Sequence, residues 1–510
     1  MLKLDVLNLE DTSMNILIKK LMKSNKILFL AFFASFFIAC TQNDETDTIV
    51  GGKDKVKIFL TPEEALSVAF NSNTVLSDEQ VMNILNDFTN TQITRRIANS
   101  YSFKIQKEDY ISLNSNSVTS RAANEVKPEQ IKFVEVEVSN STDNETGYAV
   151  VCADQRYPNV LAFIDNGQIE DASKNGGSIM LNLAKGAALS QIKKINHYKD
   201  SLEYVTKEKI CNFLNKPVSQ YTSDLLQYTL TKVEDIAEPR GFEVTPTGTF
   251  VAGSGPLTST FWIQGWPCNE FIKMAPNDSQ WNQSQHKQHY PAGCTVVAMA
   301  HIAAYYKPSI RITEPGYNRN IDWSTALSVS DLSANSSTTN SATKEVALLM
   351  KAIADNCGTT FSESGGSTDS NKARSYMSNI GIYMNDRTSL TYQNIRQSLS
   401  DLKLVFATGS AREVSNYSFS NTSSPSSRSE YLSGSHAWVI DGFQLRQRGL
   451  TRQELKQYNV YCHCNFGWVN KIGNGWYLFD YSGTISFSID NWLSTEIYDA
   501  NLACYPYVRK

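Results

Sequence analysis

The sequence predicts an α+β protein with two folded units. Its length of 510 residues, 41% of them hydrophobic, is enough for more than one core. Runs typical of strands are followed by helical periodicity, and a stretch rich in proline and glycine then precedes an aromatic-rich second half. The predicted strands are 131–138 (IKFVEVEV), 148–152 and 160–164, the predicted helices are 179–200 and 200–214, and the proline- and glycine-rich stretch is 234–256.

The composition excludes two classes of protein. The formal net charge is -4, from 47 basic and 51 acidic residues, so we expect no nucleic-acid partner, which would require a basic excess. Nine cysteines are too few for a small disulfide scaffold. Because nine is odd, at least one cysteine has no partner within the chain.

The N-terminus predicts export. Residues 27–39 (ILFLAFFASFFIA) are apolar and follow four lysines, but they are shorter than the ~20 residues of a membrane span. The run ends at Cys40, which resembles a bacterial lipobox. We therefore expect a lipoprotein signal peptide over 1–40, a lipid on Cys40 that attaches the precursor to the cell envelope or surface, and a polar tether over 41–55. The alternative is an ordinary signal peptide with an incidental cysteine.

The first unit begins with a helix signal and ends before the linker. Thr61 can cap a helix that has Pro62 at its first position, and Glu64 can complete a capping box. Residues 77–80 (SDEQ) repeat this device before an amphipathic stripe. We place the first unit at 56–233, the linker with a processing site at 234–256, and the second unit at 257–510.

Cys294 is the strongest candidate for chemistry. It lies within 291–306 (PAGCTVVAMAHIAAYY), where proline and glycine stop and an alanine-rich helical pattern begins. A cysteine at a helix N-terminus faces unsatisfied N–H groups and the positive end of the dipole, and both favour the thiolate nucleophile. A buried small hydrophobic residue is the alternative.

A thiolate mechanism requires a base, and His436 fits best among six histidines. His301 lies seven residues beyond the cysteine, about 10.5 Å along a helix, and we expect it to be a core or edge residue. His286 and His289 are in a polar run and remain weaker candidates. His436 opens an apolar strand, 436–443, and a rigid histidine distant in sequence suits a Cys–His pair.

These residues together resemble the streptopain/interpain family of papain-fold cysteine peptidases, over most of 256–480. The matching pieces, in the family's order, are 262–264 (WIQ) with Pro267 and Asn269, 293–294 (GC), 435–442 (SHAWVIDG), and 465–468 (NFGW) followed by 475–477 (GWY). The first unit resembles the family's inhibitory propeptide at 61–66 (TPEEAL) and 159–171 (NVLAFIDNGQIED). The resemblance implies a papain-like domain with a helical part and an antiparallel sheet part, preceded by an α+β propeptide.

The resemblance also implies roles for single residues. Cys294 is the expected nucleophile, His436 the general base and acid, and Gln264 an oxyanion donor beside the Cys294 backbone N–H. Asn465 or Trp468 is expected to orient the histidine. Two departures affect these expectations: Phe466 and Ser435 stand where the family usually has tryptophan and glycine.

Further expectations follow for the cleft and for partners. Ser367, in a loop over 364–367 (SGGS), and Ser435 are expected to border the substrate cleft. We expect protein or peptide substrates, the propeptide as an intramolecular inhibitor, and no cofactor. Cys462 and Cys464 flank His463 and share one face of a strand. One of these two cysteines is a candidate for a disulfide with Cys268, Cys357 or Cys504. A metal site would need a second ligand pair at a suitable spacing, and the sequence does not offer one.

The leading hypothesis is an exported cysteine endopeptidase made as a zymogen, with Arg240–Gly241 as one candidate processing bond. Two alternatives remain at this point. One is a transglutaminase-like acyltransferase, for which Asp441, five residues after His436, has unsuitable spacing. The other is a surface adhesion protein that has lost activity.

Overall fold

The computed structural model describes most of the chain beyond residue 60. Contacts divide the chain into Met1–Lys57 and Ile58–Lys510, and every described residue lies in the second unit. The described residues are 60–70, 73–90, 101–113, 129–140, 146–164, 166–167, 177–222, 225, 249–279, 281, 286–333, 339–363, 365–409, 411–413, 436–449, 456–480, 498–500 and 503–510. Cys40, Ser435 and the Arg240–Gly241 bond lie outside them.

The N-terminal part folds as an α+β layer. Helix α1 (Pro62–Val68) has Thr61 as its N-cap, with the expected capping box, and α2 (Asp78–Asn90) buries the apolar stripe. Four antiparallel strands follow, β1 (Tyr101–Leu113), β2 (Glu129–Asn140), β3 (Thr146–Cys152) and β4 (Asn159–Ile164), and the long helix α3 spans Gly177–Phe213. The sequence predicted two helices here. No proline or glycine interrupts residues 187–213, so the backbone hydrogen bonds continue through them.

The C-terminal part has a helical side and a strand side. Its helices are α4 (Cys294–Tyr306), α5 (Trp323–Ala326), α6 (Ser341–Asn356), α7 (Ser370–Asn379) and α8 (Tyr392–Ser400). Its strands are β5 (Thr249–Ser254), β6 (Arg311–Ile312), β7 (Arg319–Asn320), β8 (Thr360–Ser362), β9 (Gly365–Ser367), β10 (Thr388–Ser389), β11 (Leu404–Gly409), β12 (Ala411–Glu413), β13 (His436–Gly449), β14 (Lys456–Asn465), β15 (Gly475–Asp480), β16 (Tyr498–Ala500) and β17 (Ala503–Val508). The predicted α+β class, with a helical part beside an antiparallel sheet, is confirmed.

One antiparallel sheet runs through both parts. Among the described residues it has 11 strands in the order β1-β2-β3-β4-β15-β14-β13-β11-β17-β10, and β5 pairs with β13. The junction is β4 on β15, where Trp476 lies opposite Phe163. Residues 249–254, which belong to the end of the predicted linker, form a strand that pairs with β13.

Two large cores lie on this framework. The first core joins both parts, from Phe88 and Phe163 to Tyr461 and Tyr477. The second core lies wholly within 262–508, around α4 and α6. Among the described residues, no helix combines the length and apolar composition that a membrane span needs.

Candidate active site

Cys294 is the first residue of α4, as the sequence predicted. The helix is buried on every side from Thr295 to Ala304, because the second core surrounds it. The Cys294 side chain is only partly buried, and the backbone N–H of Ala437 donates to its sulfur. Ala437 directly follows His436, so the fold brings together two residues that are 142 positions apart.

Glycines allow the chain to pass closely around this helix start. Gly293 has φ +97°, and a Cβ there would lie 2.5 Å from the carbonyl oxygen of Gly366. Gly366 in turn has no space for a side chain against the carbonyls of Pro291 and Ala292. Strand β9 therefore packs against the residues before the cysteine, and its last residue, Ser367, is exposed.

Gln264 is tied to the same turn through its backbone. Its carbonyl accepts a hydrogen bond of 2.9 Å from the N–H of Ala292, two residues before Cys294. Nearby, the buried Asn269 side chain donates to the carbonyls of His286 and Tyr290 at 3.2 Å each. These bonds connect the 264–269 turn, and with it the Gln264 backbone, to the residues that lead into the helix.

His436 is the first residue of β13, at the mouth of the strand. The residue is 8% exposed, and its Nε2 lies 3.2 Å from the carbonyl oxygen of Phe466. The indole of Trp468 stacks on the imidazole at 5.1 Å between centroids and 17° between planes. A main-chain carbonyl and a stacked indole therefore fix the ring.

Asn465 occupies a different position from the one expected of a histidine-orienting residue. Its amide nitrogen donates to the carbonyl of Thr260 at 3.0 Å, and its oxygen accepts from Gly467 N–H and from the Asn474 side chain at 3.2 Å each. These bonds hold the turn that presents the Phe466 carbonyl to His436. Trp468 thus contacts the His436 ring directly, whereas Asn465 stabilises the turn that carries the Phe466 carbonyl.

Burial controls the charge of both groups. Burial raises the pKa of the Cys294 thiol above 9.0, although the N–H groups of Ala437, Thr295 and Cys294 and the Thr295 hydroxyl oppose it. Burial lowers the pKa of His436 from 6.5 to about 4, and its bond to the Phe466 carbonyl opposes the change. The two pKa shifts therefore both favour the uncharged form, of the thiol and of the imidazole. The thiolate expected from the helix position is outweighed here by desolvation.

A second His–carboxylate pair lies deeper in the sheet. His463 Nδ1 is 2.6 Å from Asp441 Oδ1, and the backbone N–H of Thr258 donates to Asp441 Oδ2 at 3.1 Å. The Thr258 hydroxyl also donates to this carboxylate. Asp441 is fully buried and lies at a register shift of β13. Asp441 therefore anchors Thr258, in the C-terminal part, to the sheet and does not contact His436.

The expected disulfide is not formed. Cys268, Cys357, Cys462, Cys464 and Cys504 are free, buried thiols. Cys462 and Cys464 do share one face of β14, but that face is packed into the first core. Within the described ranges, no group of three or more His, Cys, Asp or Glu residues is placed to hold a metal ion.

The other histidines have structural partners. His301 is 1% exposed and its Nδ1 lies 2.7 Å from the Thr260 hydroxyl, which confirms a core position. His289 Nδ1 lies 2.6 Å from the carbonyl of Ile272, and His286 packs edge-on against Trp281 at 5.0 Å. His436 is thus the histidine whose neighbour in the chain, Ala437, donates a hydrogen bond to the Cys294 sulfur.

Comparison with known proteins agrees with this geometry. Residues 262–477 match the model of the Peptidase C10 family. The match covers less than half of the chain, and we call the matched region the C10 domain. The C10 domain contains Gln264, Cys294, His436, Asn465 and Trp468, and the match supports a cysteine peptidase.

One solved structure is also similar. It is a fragment of Prevotella intermedia prointerpain A, in a cysteine-to-alanine mutant form, with 14% identity and a TM-score of 0.39. The similarity covers 79% of this chain and 98% of that one. No curated protein matches the chain.

Sequence reasoning missed the backbone groups of the C10 domain. The Ala437 N–H and the Phe466 carbonyl contact Cys294 and His436, yet any residue type supplies such groups. The sequence signal for the second group is Phe466, which stands where the family usually has tryptophan. The residue indicates the right turn, although its carbonyl, and not its ring, binds His436 Nε2.

Proposed function

We propose that the protein is the zymogen of an exported cysteine endopeptidase with a Cys294–His436 pair. The hydrogen bond from the Ala437 N–H to the Cys294 sulfur supports this pair best. Because Ala437 directly follows His436, this bond brings the thiol close to the histidine. A thiol at a helix start next to an immobilised imidazole can carry out acyl transfer from a peptide to water.

The hydrogen bond of His436 assigns its tautomer. A carbonyl oxygen can only accept, so Nε2 carries the hydrogen that faces Phe466. In the neutral ring Nδ1 then has the lone pair and is the atom that takes the thiol proton. The Trp468 stack keeps the ring in this orientation, as expected for the base in such a pair.

The first half of the reaction forms a thioester. The Cys294 sulfur attacks the carbonyl carbon of the scissile bond as its proton passes to His436 Nδ1. The carbonyl oxygen becomes an oxyanion, for which the Cys294 backbone N–H and the Gln264 side-chain amide are the proposed donors. The imidazolium then protonates the leaving amine, the C–N bond breaks, and the acyl group stays on sulfur.

The second half releases the acyl group to water. His436 takes a proton from water, and the hydroxide oxygen attacks the thioester carbon. The C–S bond breaks, the sulfur recovers the proton from the imidazolium, and the carboxylic acid leaves. Ser367, the exposed last residue of β9, and Ser435 are proposed to border the cleft for the substrate chain.

The N-terminal part is proposed to act as the inhibitory propeptide. It extends the catalytic sheet at β15, and a Cβ on Gly167 would lie 3.3 Å from the Ile472 side chain, within the turn that carries Phe466 and Trp468. The pKa shifts that favour the uncharged thiol and the uncharged imidazole fit a precursor of low activity. We propose that processing within 234–248, for example at Arg240–Gly241, increases access of water and substrate.

The proposed function also includes export and attachment to the cell envelope. We propose that residues 1–40 direct secretion and that Cys40 carries a lipid, which would hold the precursor at the cell envelope. Cleavage in the linker would separate the C10 domain covalently from this anchor. Labelling with a radioactive fatty acid in the native host, compared between wild type and Cys40→Ala, tests the anchor directly.

The acyltransferase alternative lacks a structural basis. Such an enzyme would want a carboxylate on the catalytic histidine, whereas the Asp441 carboxylate binds His463 and Thr258. The ring of His436 is bound by a carbonyl instead. Hydrolysis is therefore the function that the site supports best.

Cys294→Ala tests the proposed nucleophile. We expect at least a ~10⁴-fold loss of hydrolysis of unfolded protein and of peptide esters, because removing a nucleophile leaves only binding contributions. Cys504→Ala, which alters a buried thiol outside the pair, is the matched control and should stay active. Wild-type activity in a folded Cys294→Ala protein would disprove the assignment.

A further inference from the structure

The junction between the N-terminal part and the C10 domain has the character of a protein core. Phe88 packs edge-on against Tyr461 at 5.1 Å and lies 5.4 Å from Phe163. Phe88 and Phe163 come from the N-terminal part, and Tyr461 comes from β14. All three are fully buried, and no solvent layer separates the two parts at this point.

Backbone pairing continues through the same junction. Gly475, Trp476 and Tyr477 of β15 pair with β4, and a Cβ on Gly475 would lie 2.4 Å from the carbonyl oxygen of Phe163. Without β4, the hydrogen-bonding groups of β15 would become an open sheet edge, which is prone to pairing with other chains.

Buried polar groups make the junction specific for this partner. Arg446 is fully buried, donates to the carbonyl of Phe88 at 3.1 Å, and lies 4.3 Å over the Phe88 ring. The Tyr461 hydroxyl donates to the carbonyl of Val160 at 2.9 Å. The Asn459 amide donates to the Asn159 side chain at 2.6 Å. A different apolar surface would not supply these acceptors at these positions.

Loss of the N-terminal part would expose a large aromatic surface. Tyr461, Trp476, Tyr477 and Phe479 are each at most 5% exposed in the first core. Aromatic side chains bury about 150–250 Å² each, so these four together bury about 600–1,000 Å², which reaches or exceeds the largest apolar patch of a typical monomer, about 300–600 Å². Interfaces of this kind are typical of obligate complexes.

We propose that the N-terminal part, residues 60–225, stays bound after the linker is cut and is a permanent subunit of the processed peptidase. The proposal rests on the proposed processing of the linker. Retention is compatible with an open site, because Arg446 lies ten residues along β13 from His436, roughly 30 Å in an extended strand. Docking and inhibition can thus depend on different contacts.

The test uses the full chain with Cys294→Ala and a recognition sequence for an unrelated protease inserted within 226–248. After complete cutting, size-exclusion chromatography with light scattering should show both fragments in one peak at the mass of the uncut protein. They should separate only in denaturant. Because the external protease makes the cut and the variant lacks the nucleophile, the result is independent of whether the peptidase mechanism is right.

Two results would overturn the proposal. One is a folded, monomeric C-terminal fragment that elutes apart from the N-terminal fragment at micromolar concentration. The other is release of the N-terminal fragment with self-association of the C-terminal fragment, which would make a second copy the occupant of this surface. Circular dichroism before and after cutting confirms that the starting protein is folded.

A matched pair of hydroxyl deletions tests the contact surface itself. Tyr461→Phe removes the bond to Val160 across the junction, and we expect the dissociation constant of the cut fragments to rise about 5- to 10-fold. Tyr505→Phe removes a bond to Asn371 within the C-terminal part and should change it less than about twofold. Equal effects of the two variants would contradict the assignment of this surface.

Discussion

The two cores of the molecule differ in where their residues come from. The second core, which surrounds α4 and positions Cys294, is built wholly from residues 262–508. The first core, which backs β13–β15 and the turn that carries Phe466, is shared with the N-terminal part. The nucleophile therefore rests on a self-contained core, whereas the sheet and turn that hold His436 depend on the N-terminal region as well.

Because of this difference, the N-terminal part can have separable roles in stability and in inhibition. As a component of the first core it stabilises the sheet, and as a neighbour of the Phe466 turn it can influence the histidine. An inhibitor that only covered a cleft would need neither the shared sheet nor the buried Arg446. Variants of the two cores should distinguish these roles.

The largest expected effect is on the shared core. Phe88→Ala should lower the free energy of unfolding by about 3–5 kcal/mol, because it removes a fully buried ring that contacts both parts. We expect one urea transition, shifted equally when followed by far-UV circular dichroism and by tryptophan fluorescence, since every tryptophan lies in the C-terminal part.

Phe406→Ala is the control for Phe88→Ala. Phe406 is equally buried but stacks on Tyr505 within the second core, so its loss should cost a similar free energy. It should leave the association of the cut fragments unchanged, whereas Phe88→Ala should weaken it. A biphasic transition in Phe88→Ala, with the fluorescence midpoint unchanged, would show that the two cores are independent.

An intermediate effect is expected where the two sides meet at the site. Gly467 has φ +68°, and a Cβ there would lie 2.4 Å from Val297 Cγ1 on α4. Gly467→Ala should therefore push the Phe466–Trp468 turn away from the helix and reduce kcat/KM about 10- to 100-fold. The assay is peptide hydrolysis by the processed enzyme.

Gly358→Ala separates backbone strain from the clash. Gly358 has φ +63°, but a Cβ there would meet only Lys372 Nζ at 3.7 Å. Its cost should be confined to a stability loss of about 1–2 kcal/mol from the left-handed backbone, with kcat/KM retained. Similar losses of kcat/KM in both variants would refute the proposed contact between the turn and α4.

The smallest expected effect is the loss of folding stability at acidic pH that His301, on α4, causes. Burial lowers the pKa of His301 from 6.5 to about 4, so the unfolded chain binds more protons in this window. Its contribution to stability is fully present above about pH 6.5 and is lost as the pH falls towards 4, by about 1–3 kcal/mol. His436 has a shift in the same direction and should add to the loss.

His301→Asn keeps a polar group near Thr260 but does not titrate in this range. The drop in urea midpoint between pH 7 and pH 5 should therefore be smaller in His301→Asn than in wild type. His197→Asn, which changes a solvent-exposed imidazole on α3, is the control. An unchanged drop in His301→Asn would assign the acid sensitivity to other groups.

The local elements and the residue types of the site could be predicted without the fold. They include the capping box at Thr61, three of the four strands of the N-terminal part, the helix that starts at Cys294 and the strand that starts at His436. Each depends on short-range hydrogen bonding or on periodicity, which neighbouring residues encode. The order of the motifs was sufficient to predict the cysteine peptidase family.

How those elements are joined and charged depends on contacts between distant residues. Residues 249–254 form a strand because β13 offers them a partner, and no local pattern in the linker showed that pairing. The acceptor for His436 is a carbonyl whose position depends on the bonds of Asn465 and Asn474. The pKa values of Cys294 and His436 shift towards the uncharged forms because residues far away in the chain desolvate both groups, an effect that opposes the helix dipole at Cys294.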